Sequence, residues 1–227
     1  MSALLSNNGI IVVRPPNTAP RTLIVTGPHR SGTSLVAAML QRAGIFIGRE
    51  INDIVYEDEE LDRLFHSGDA LALRRVIGER DGAYRVWGFK IPMLCRDLPR
   101  ECLAWFTNPH LIVTLRDPVA MAVRTAVSEY QDPIRSLRHA VADLHSVLAY
   151  IDMVDCPTML LSYEKALMMP EQLVDAVARF CGIGLDAGTR SGLLSIVEPA
   201  ISALLAARLS RAAPRVAAAW ATPARAS

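Results

Sequence analysis

Cysteine is scarce in this chain, and the few residues there are lie scattered. Cys95, Cys102, Cys156 and Cys181 form no C-x-x-C pair and no zinc spacing among 227 residues. That argues against a disulfide scaffold or a structural zinc module and leads to an expectation of free thiols in a reducing, cytoplasmic compartment. Excess charge is scarce too. Twenty-four basic side chains against 23 acidic ones leave +1, so neither nucleic acid nor an anionic membrane is expected as a partner. No apolar run approaches the roughly 20 residues that span a bilayer. The first residues, MSALLSNNGIIVVRPP, lack a basic n-region and a long apolar h-region, so no signal peptide is expected.

A more specific absence is a lysine. Thr22 to Ala43 reads TLIVTGPHRSGTSLVAAMLQRA. A β-branched run ends in the loop Gly27 to Ser34, and an apolar helix pattern (Leu35, Val36, Met39, Leu40, Ala43) follows at once. Strand, glycine loop and helix make the layout of a phosphate-binding P-loop, in which backbone N–H groups and the helix N-terminus face an anion. The spacing Gly27-x-x-x-x-Gly32 followed by Ser34 fits. The lysine that would reach the β- and γ-phosphates of a triphosphate is Thr33 instead. The nearest cation is Arg30, inside the loop, so the site suits a shorter anion than a triphosphate.

With 51% hydrophobic residues the chain can fill one substantial α/β domain. Residues 1–20 read as irregular, with Ile10 to Val13 as a candidate edge strand set apart by Pro15, Pro16 and Pro20. Leu61, Leu64, Phe65 and Leu71 recur at helical intervals within 53–80, interrupted at Gly68. The cluster Glu57-Asp58-Glu59-Glu60 reads as a solvated first turn that favours the helix dipole. Tyr84 to Lys90 is a second strand, and Leu111 to Leu115 a third, covered on both faces. Asp117 and Pro118 suit the cap and first turn of the next helix. Ile134, Leu137, Val141, Leu144, Leu148 and Ile151 step by 3 and 4, the clearest amphipathic helix, flanked by His139 and His145. Thr158 to Ser162 is a fourth strand. A helix from Pro170 buries Leu173, Val174, Val177 and Phe180 and ends at Gly182. Ile201, Leu204, Leu205 and Leu209 form a last helix, able to pack on its own domain or on a second copy in a homodimer, and the tail after it reads as loose.

Strands alternating with helices predict an α/β fold of P-loop NTPase type: a mainly parallel central sheet with helices on both faces, in three layers. In such sheets ligands bind at the carboxyl ends of the strands. Arg30, Lys90 and Arg116 each follow a strand there.

At this point the chain resembles the sulfotransferases that use 3′-phosphoadenosine 5′-phosphosulfate (PAPS), with bacterial-type features. GPHRSGTS is similar to their 5′-phosphosulfate loop, WGFKIP to the Lys-x-Pro stretch, and LIVTLRDPVAMAVRTAVSEY to the 3′-phosphate segment. LSYEKALMMPEQLVDAVARFCGI is similar to the Tyr-Glu-x-Leu segment and its helix. The four occur in the family's order across residues 22–183. The resemblance implies a single sulfotransferase-like domain over 21–212, with 213–227 as a flexible tail. It implies PAPS as donor, no metal, and a small-molecule, lipid or glycan acceptor bearing a hydroxyl or, less fittingly, an amine. His29, Arg30, Ser31, Gly32, Thr33 and Ser34 would hold the 5′-phosphosulfate, Arg116 the 3′-phosphate, and Tyr163 the adenine. Lys90 would stabilise the sulfuryl group or the bridging oxygen. Where the family usually has a serine eight residues after its arginine, this chain has Arg124, itself able to bind phosphate, with Ser128 one turn further on.

The residue that would accept the acceptor's proton is not marked. Glycan-type members carry a glutamate just before the Lys of Lys-x-Pro, and here that position is Phe89. Glu57, Asp58, His66 and Asp97 are the candidates. Glu57 ranks first because Tyr56-Glu57-Asp58 resembles a stretch found in bacterial members. Two other readings stay open: a non-catalytic relative that binds the nucleotide, and a P-loop kinase of a small molecule.

Overall fold

A computed structural model describes residues 7–18, 20–51, 55–97 and 99–209; the side chains of Cys95 and Asp97 and of residues 200–209, and the tail after them, lie outside the described set. The first strand, β1 (Ile10–Arg14), comes from the segment expected to be irregular and takes the edge position considered for Ile10 to Val13. β2 (Arg21–Thr26) leads through the glycine loop into α1 (Thr33–Arg42). The helical stretch before the next strand divides at Gly68 into α2 (Glu59–Ser67) and α3 (Ala70–Ala83). Gly68 ends α2 at φ 68°, a left-handed cap that glycine adopts without a Cβ penalty.

Then come β3 (Val86–Lys90), the short α4 (Leu94–Asp97), a 3₁₀ turn at Arg100–Trp105, and β4 (Pro109–Leu115). An α-hairpin follows, α5 (Pro118–Glu129) and α6 (Pro133–Met153), each opened by proline after a capping aspartate, Asp117 and Asp132. β5 (Thr158–Ser162), α7 (Tyr163–Met168), α8 (Pro170–Cys181) and α9 (Ala187–Leu209) complete the described chain.

The five strands form one sheet in the order β1-β5-β4-β2-β3. β2 lies parallel to both β3 and β4, and β4 parallel to β5, while β1 joins β5 antiparallel. The architecture is thus α/β and mostly parallel, with an antiparallel edge.

Period-2 alternation along the strands separates two cores. Leu23, Val25, Ile112, Met159 and Leu161 pack with α1, α7, α8 and α9. Ile24, Trp87, Phe89, Leu111 and Val113 pack with α2, α3 and α6. Phe89 is 1% exposed and its ring lies 5.2 Å from that of Phe106. The position considered for a glutamate base from the resemblance is therefore a core position here.

Two expectations need correction. The α6 stripe does not all face inward: Ile134, Val141 and Leu148 are about half exposed, while Ser136, Ala140, Val147, Tyr150 and Ile151 are buried. Packing against α5 and the sheet turns the helix so that Ser136 and Ala140 face inward near its start and Val147, Tyr150 and Ile151 near its end, overriding part of the expected stripe. The acidic cluster is not simply a solvated turn either. Asp58 caps α2, accepting from the N–H groups of Glu60 and Leu61, and its carboxylate receives a bond from Arg80, which is 1% exposed. Arg80 also donates to Glu60 at 2.7 Å. Burying this guanidinium is tolerable because its charge is matched on the spot.

Candidate functional site

The parallel register brings three strand ends to one edge. Val25 pairs with Lys90, and Thr26 with Val113, so the glycine loop, Lys90 and Arg116 emerge side by side. They line one cavity of about 1080 Å³.

The loop's glycines are required by contact as well as by turn geometry. Gly32 has φ 99°, and a Cβ there would stand 2.2 Å from Cδ2 of Tyr163. At Gly27 a Cβ would meet the Thr114 carbonyl oxygen at 2.3 Å. Gly32 caps α1 without a side-chain acceptor; Leu35 N–H turns back to Gly32 O at 3.1 Å, and the N–H groups of Thr33 and Ser34 before it remain for a ligand. Thr33 is buried and Ser34 half-buried, both at the cavity wall. Ser31 is different. Its hydroxyl is buried and shares a hydrogen bond with Thr114 Oγ1 at 2.8 Å. Its side chain fastens the loop to β4 and does not line the cavity, and its N–H donates to Pro28 O at 3.2 Å within the loop.

Lys90 is 5% exposed and points its ammonium at the segment before α2. It donates to Val55 O at 2.6 Å, to Glu57 Oε1 at 2.8 Å and to Ser34 Oγ at 3.4 Å. Burial pushes its pKa below the ordinary lysine value, against the opposing pull of Glu57. Ser34 in turn donates to Val55 O. Lysine, loop serine and glutamate therefore form one hydrogen-bonded group. Tyr56, beside it, has φ 59°, an uncommon conformation for a bulky residue, and also lines the cavity.

On the other flank, Arg116 Nε donates to Glu164 Oε1 at 3.2 Å and Nη1 to Arg30 O at 3.3 Å. Its guanidinium stands 4.9 Å from the Tyr163 ring centroid. Arg30, at φ 65°, reaches across to Ser128 Oγ at 3.2 Å and lies 3.6 Å from Glu129. Arg124 lines the same cavity from α5.

Of the residues singled out from the sequence, His29, Arg30, Gly32, Thr33, Ser34, Glu57, Lys90, Arg116, Arg124 and Tyr163 share this cavity, with His66 beside them. Ser31 lies beneath it, Asp58 is taken up by Arg80, and the Asp97 side chain lies outside the described residues. Sequence reasoning missed Glu164, Glu129 and Arg96. Glu164 sits in the Tyr-Glu pair already noted, so its place beside Tyr163 was a usable signal. Arg96 follows Lys90-Ile91-Pro92 with no motif of its own. Ser195, Ile196 and Pro199 of α9 add a further wall. Among the described residues no group of His, Cys, Asp and Glu is placed to hold a metal ion, and no helix is long and apolar enough to cross a membrane.

Comparison with solved structures identifies the fold. The sulfotransferase domain of a Synechococcus olefin synthase superposes with a TM-score of 0.55 at 16% identity, covering 81% of this chain and 78% of that one. A sulfotransferase of Mycobacterium tuberculosis gives 0.54 at 13% identity, with 82% and 77% covered. A mouse sulfotransferase crystallised with PAP gives 0.50 at 13% identity, with 83% and 68% covered. No family profile and no curated protein sequence matches the chain. The fold is that of the sulfotransferases, reached at low sequence identity.

Proposed function

We propose that the protein is a PAPS-dependent sulfotransferase that moves a sulfuryl group to a hydroxyl, or less readily an amine, of a small-molecule, lipid or glycan acceptor. The observation that carries this reading is the pairing of a lysine-free phosphate loop with Arg116 and Tyr163 in one cavity. A donor with a short 5′ anion, an adenine and a 3′-phosphate matches each part. Uncapped N–H groups at α1 and Arg30 suit the 5′ group. Arg116 and Arg124 suit the 3′-phosphate, and the Tyr163 ring offers a surface for the base. A kinase reading has Thr33 where the triphosphate lysine belongs.

PAPS supplies an activated sulfur: the acceptor oxygen attacks it in line, its bond to the 5′-phosphate oxygen breaks, and 3′-phosphoadenosine 5′-phosphate (PAP) leaves. The chain's part is positioning and charge stabilisation. Lys90, held beside the loop by Ser34, Val55 and Glu57, supplies positive charge where the leaving oxygen becomes anionic. Glu57, about one-third exposed and in the cavity, takes the acceptor's proton. Glu57 and Lys90 touch each other, so the proton acceptor and the charge stabiliser are set by one contact.

The test is transfer of radiolabelled sulfuryl from PAPS to a broad panel of phenols, alcohols, glycans and amines. Labelled product that disappears in Lys90→Met supports the reading. Absence of product with every acceptor, together with absence of PAP binding, overturns it.

A further inference from the structure

Most cations of the cavity are matched by carboxylates of the chain itself: Lys90 by Glu57, Arg30 by Glu129 and Arg116 by Glu164. Arg96 and Arg124 line the same cavity and form no ion pair among the described residues. A guanidinium keeps its charge at any working pH, so an anion supplied by a ligand is its natural complement. Arg124 lies on α5, the helix that follows Arg116, where the donor's 3′-phosphate is assigned. Arg96 lies on the far side of the loop from that assignment in chain terms, on α4 just after Lys90-Ile91-Pro92.

Arg96 is held in place. α4 is tied to the back of the glycine loop: Met93 N–H donates to Gly27 O at 2.9 Å and Leu94 N–H to Thr26 Oγ1 at 3.2 Å. Arg96 Nη2 then donates to Nε2 of His29, on the loop itself, at 2.6 Å. In that contact Nε2 is the acceptor, and it occupies only one of the guanidinium's N–H donors. The same cavity carries Ile91 and Pro92 beside Arg96, and Val55, Asp62 and His66 from the α2 side.

The geometry points to Arg96, set by His29, as the anion-recognition group of the acceptor subsite. The acceptor it selects carries an acidic group, a carboxylate or a phosphate or sulfate ester, in addition to the hydroxyl that is sulfated. This rests on the sulfotransferase reading, in which the donor's 5′ and 3′ anions are assigned to Arg30, Arg116 and Arg124. A purely structural role for Arg96 would affect stability and donor binding; acceptor recognition leaves both unchanged.

The test uses the full chain saturated with PAP and titrated calorimetrically with matched probes: para-hydroxybenzoate and its amide, N-acetyltyrosine and its amide, and ω-hydroxydodecanoate and its methyl ester. The acid of at least one pair is expected to bind about tenfold or more tightly than its neutral partner, the scale of one charge-assisted hydrogen bond. Arg96→Gln removes that preference, Arg96→Lys restores part of it, and PAP affinity and urea midpoint stay as in the parent. If no acid outbinds its neutral partner, or if Arg96→Gln weakens PAP itself, the proposal is overturned. Failure of the parent protein to bind PAP instead removes the sulfotransferase reading beneath it, which the first titration distinguishes.

Discussion

The Arg116 guanidinium stands 4.9 Å over the Tyr163 ring while its Nε donates to Glu164, the next residue along the chain. Arg116 directly follows β4 and Tyr163 opens α7 directly after β5, and the parallel β4–β5 register sets Leu115 opposite Ser162. Two adjacent strand ends thus deliver a cation and an aromatic face to one point, with a carboxylate fixing the cation's orientation. Tyr163 also packs on Gly32, which links this pair to the phosphate loop.

Tyr163→Ala should weaken PAP binding by about tenfold, since aromatic and cation–π contacts of this kind contribute about 1–2 kcal/mol. Tyr163→Phe should retain most of the affinity. Calorimetry on the two variants separates the ring from its hydroxyl.

Gly32→Ala should be worse than its size suggests. The new methyl would overlap the Tyr163 ring at a backbone φ of 99°. Strain of about 1–3 kcal/mol is expected, seen as a lower urea midpoint, together with loss of PAP binding because the ring must move. An unchanged midpoint would mean that the Tyr163 ring does not lie against the loop.

Alkaline pH should switch off transfer earlier than an ordinary lysine would. Burial lowers the Lys90 pKa from 10.5, so the charged form exists below that depressed value and is lost as pH rises through it. The rate at saturating substrates should therefore fall along a limb centred below 10.5. Lys90→Arg keeps its charge and should lose the limb, whatever its absolute rate. The same shift acts on stability with a definite sign: Lys90's charge burdens the folded state below the depressed value, and that burden is relieved as pH rises toward 10.5.

Arg80→Met should destabilise the fold by about 3–5 kcal/mol, because it leaves the Asp58 carboxylate buried without its partner. The double change Arg80→Met with Asp58→Asn should recover part of that loss. Denaturant titration of both variants checks the coupling.

That the loop, Lys90 and Arg116 share one cavity could be read from the sequence because each is placed locally. The loop, the Lys-x-Pro stretch and the Arg-x-Pro stretch each sit within a few residues of a strand end, and a parallel sheet places all strand ends of one sense together. The rest depends on pairings between distant residues. Asp58 meets Arg80 across the α2–α3 turn, and nothing in Glu57-Asp58-Glu59-Glu60 separates the carboxylate that is buried from those that face solvent. Arg96 gains its place from the turn at Met93, where φ is 51°, a conformation no local pattern announces. The α6 heptad misled for a related reason: periodicity defines a stripe, but the neighbouring helix and sheet decide which stripe faces in. The antiparallel edge β1 was visible only as a short apolar run ahead of Pro15, Pro16 and Pro20, and its partner β5 lies far along the chain.

The central claim is that Arg30 and Arg116 hold the two anionic ends of one PAPS-type nucleotide. Calorimetric titration of PAP into the parent protein and into Arg30→Ala and Arg116→Ala tests it most directly. The account predicts one-to-one binding by the parent, with each substitution weakening it by about tenfold or more, the scale of a charge-assisted hydrogen bond. No binding by the parent at high micromolar PAP, or equal affinity in all three proteins, would contradict it.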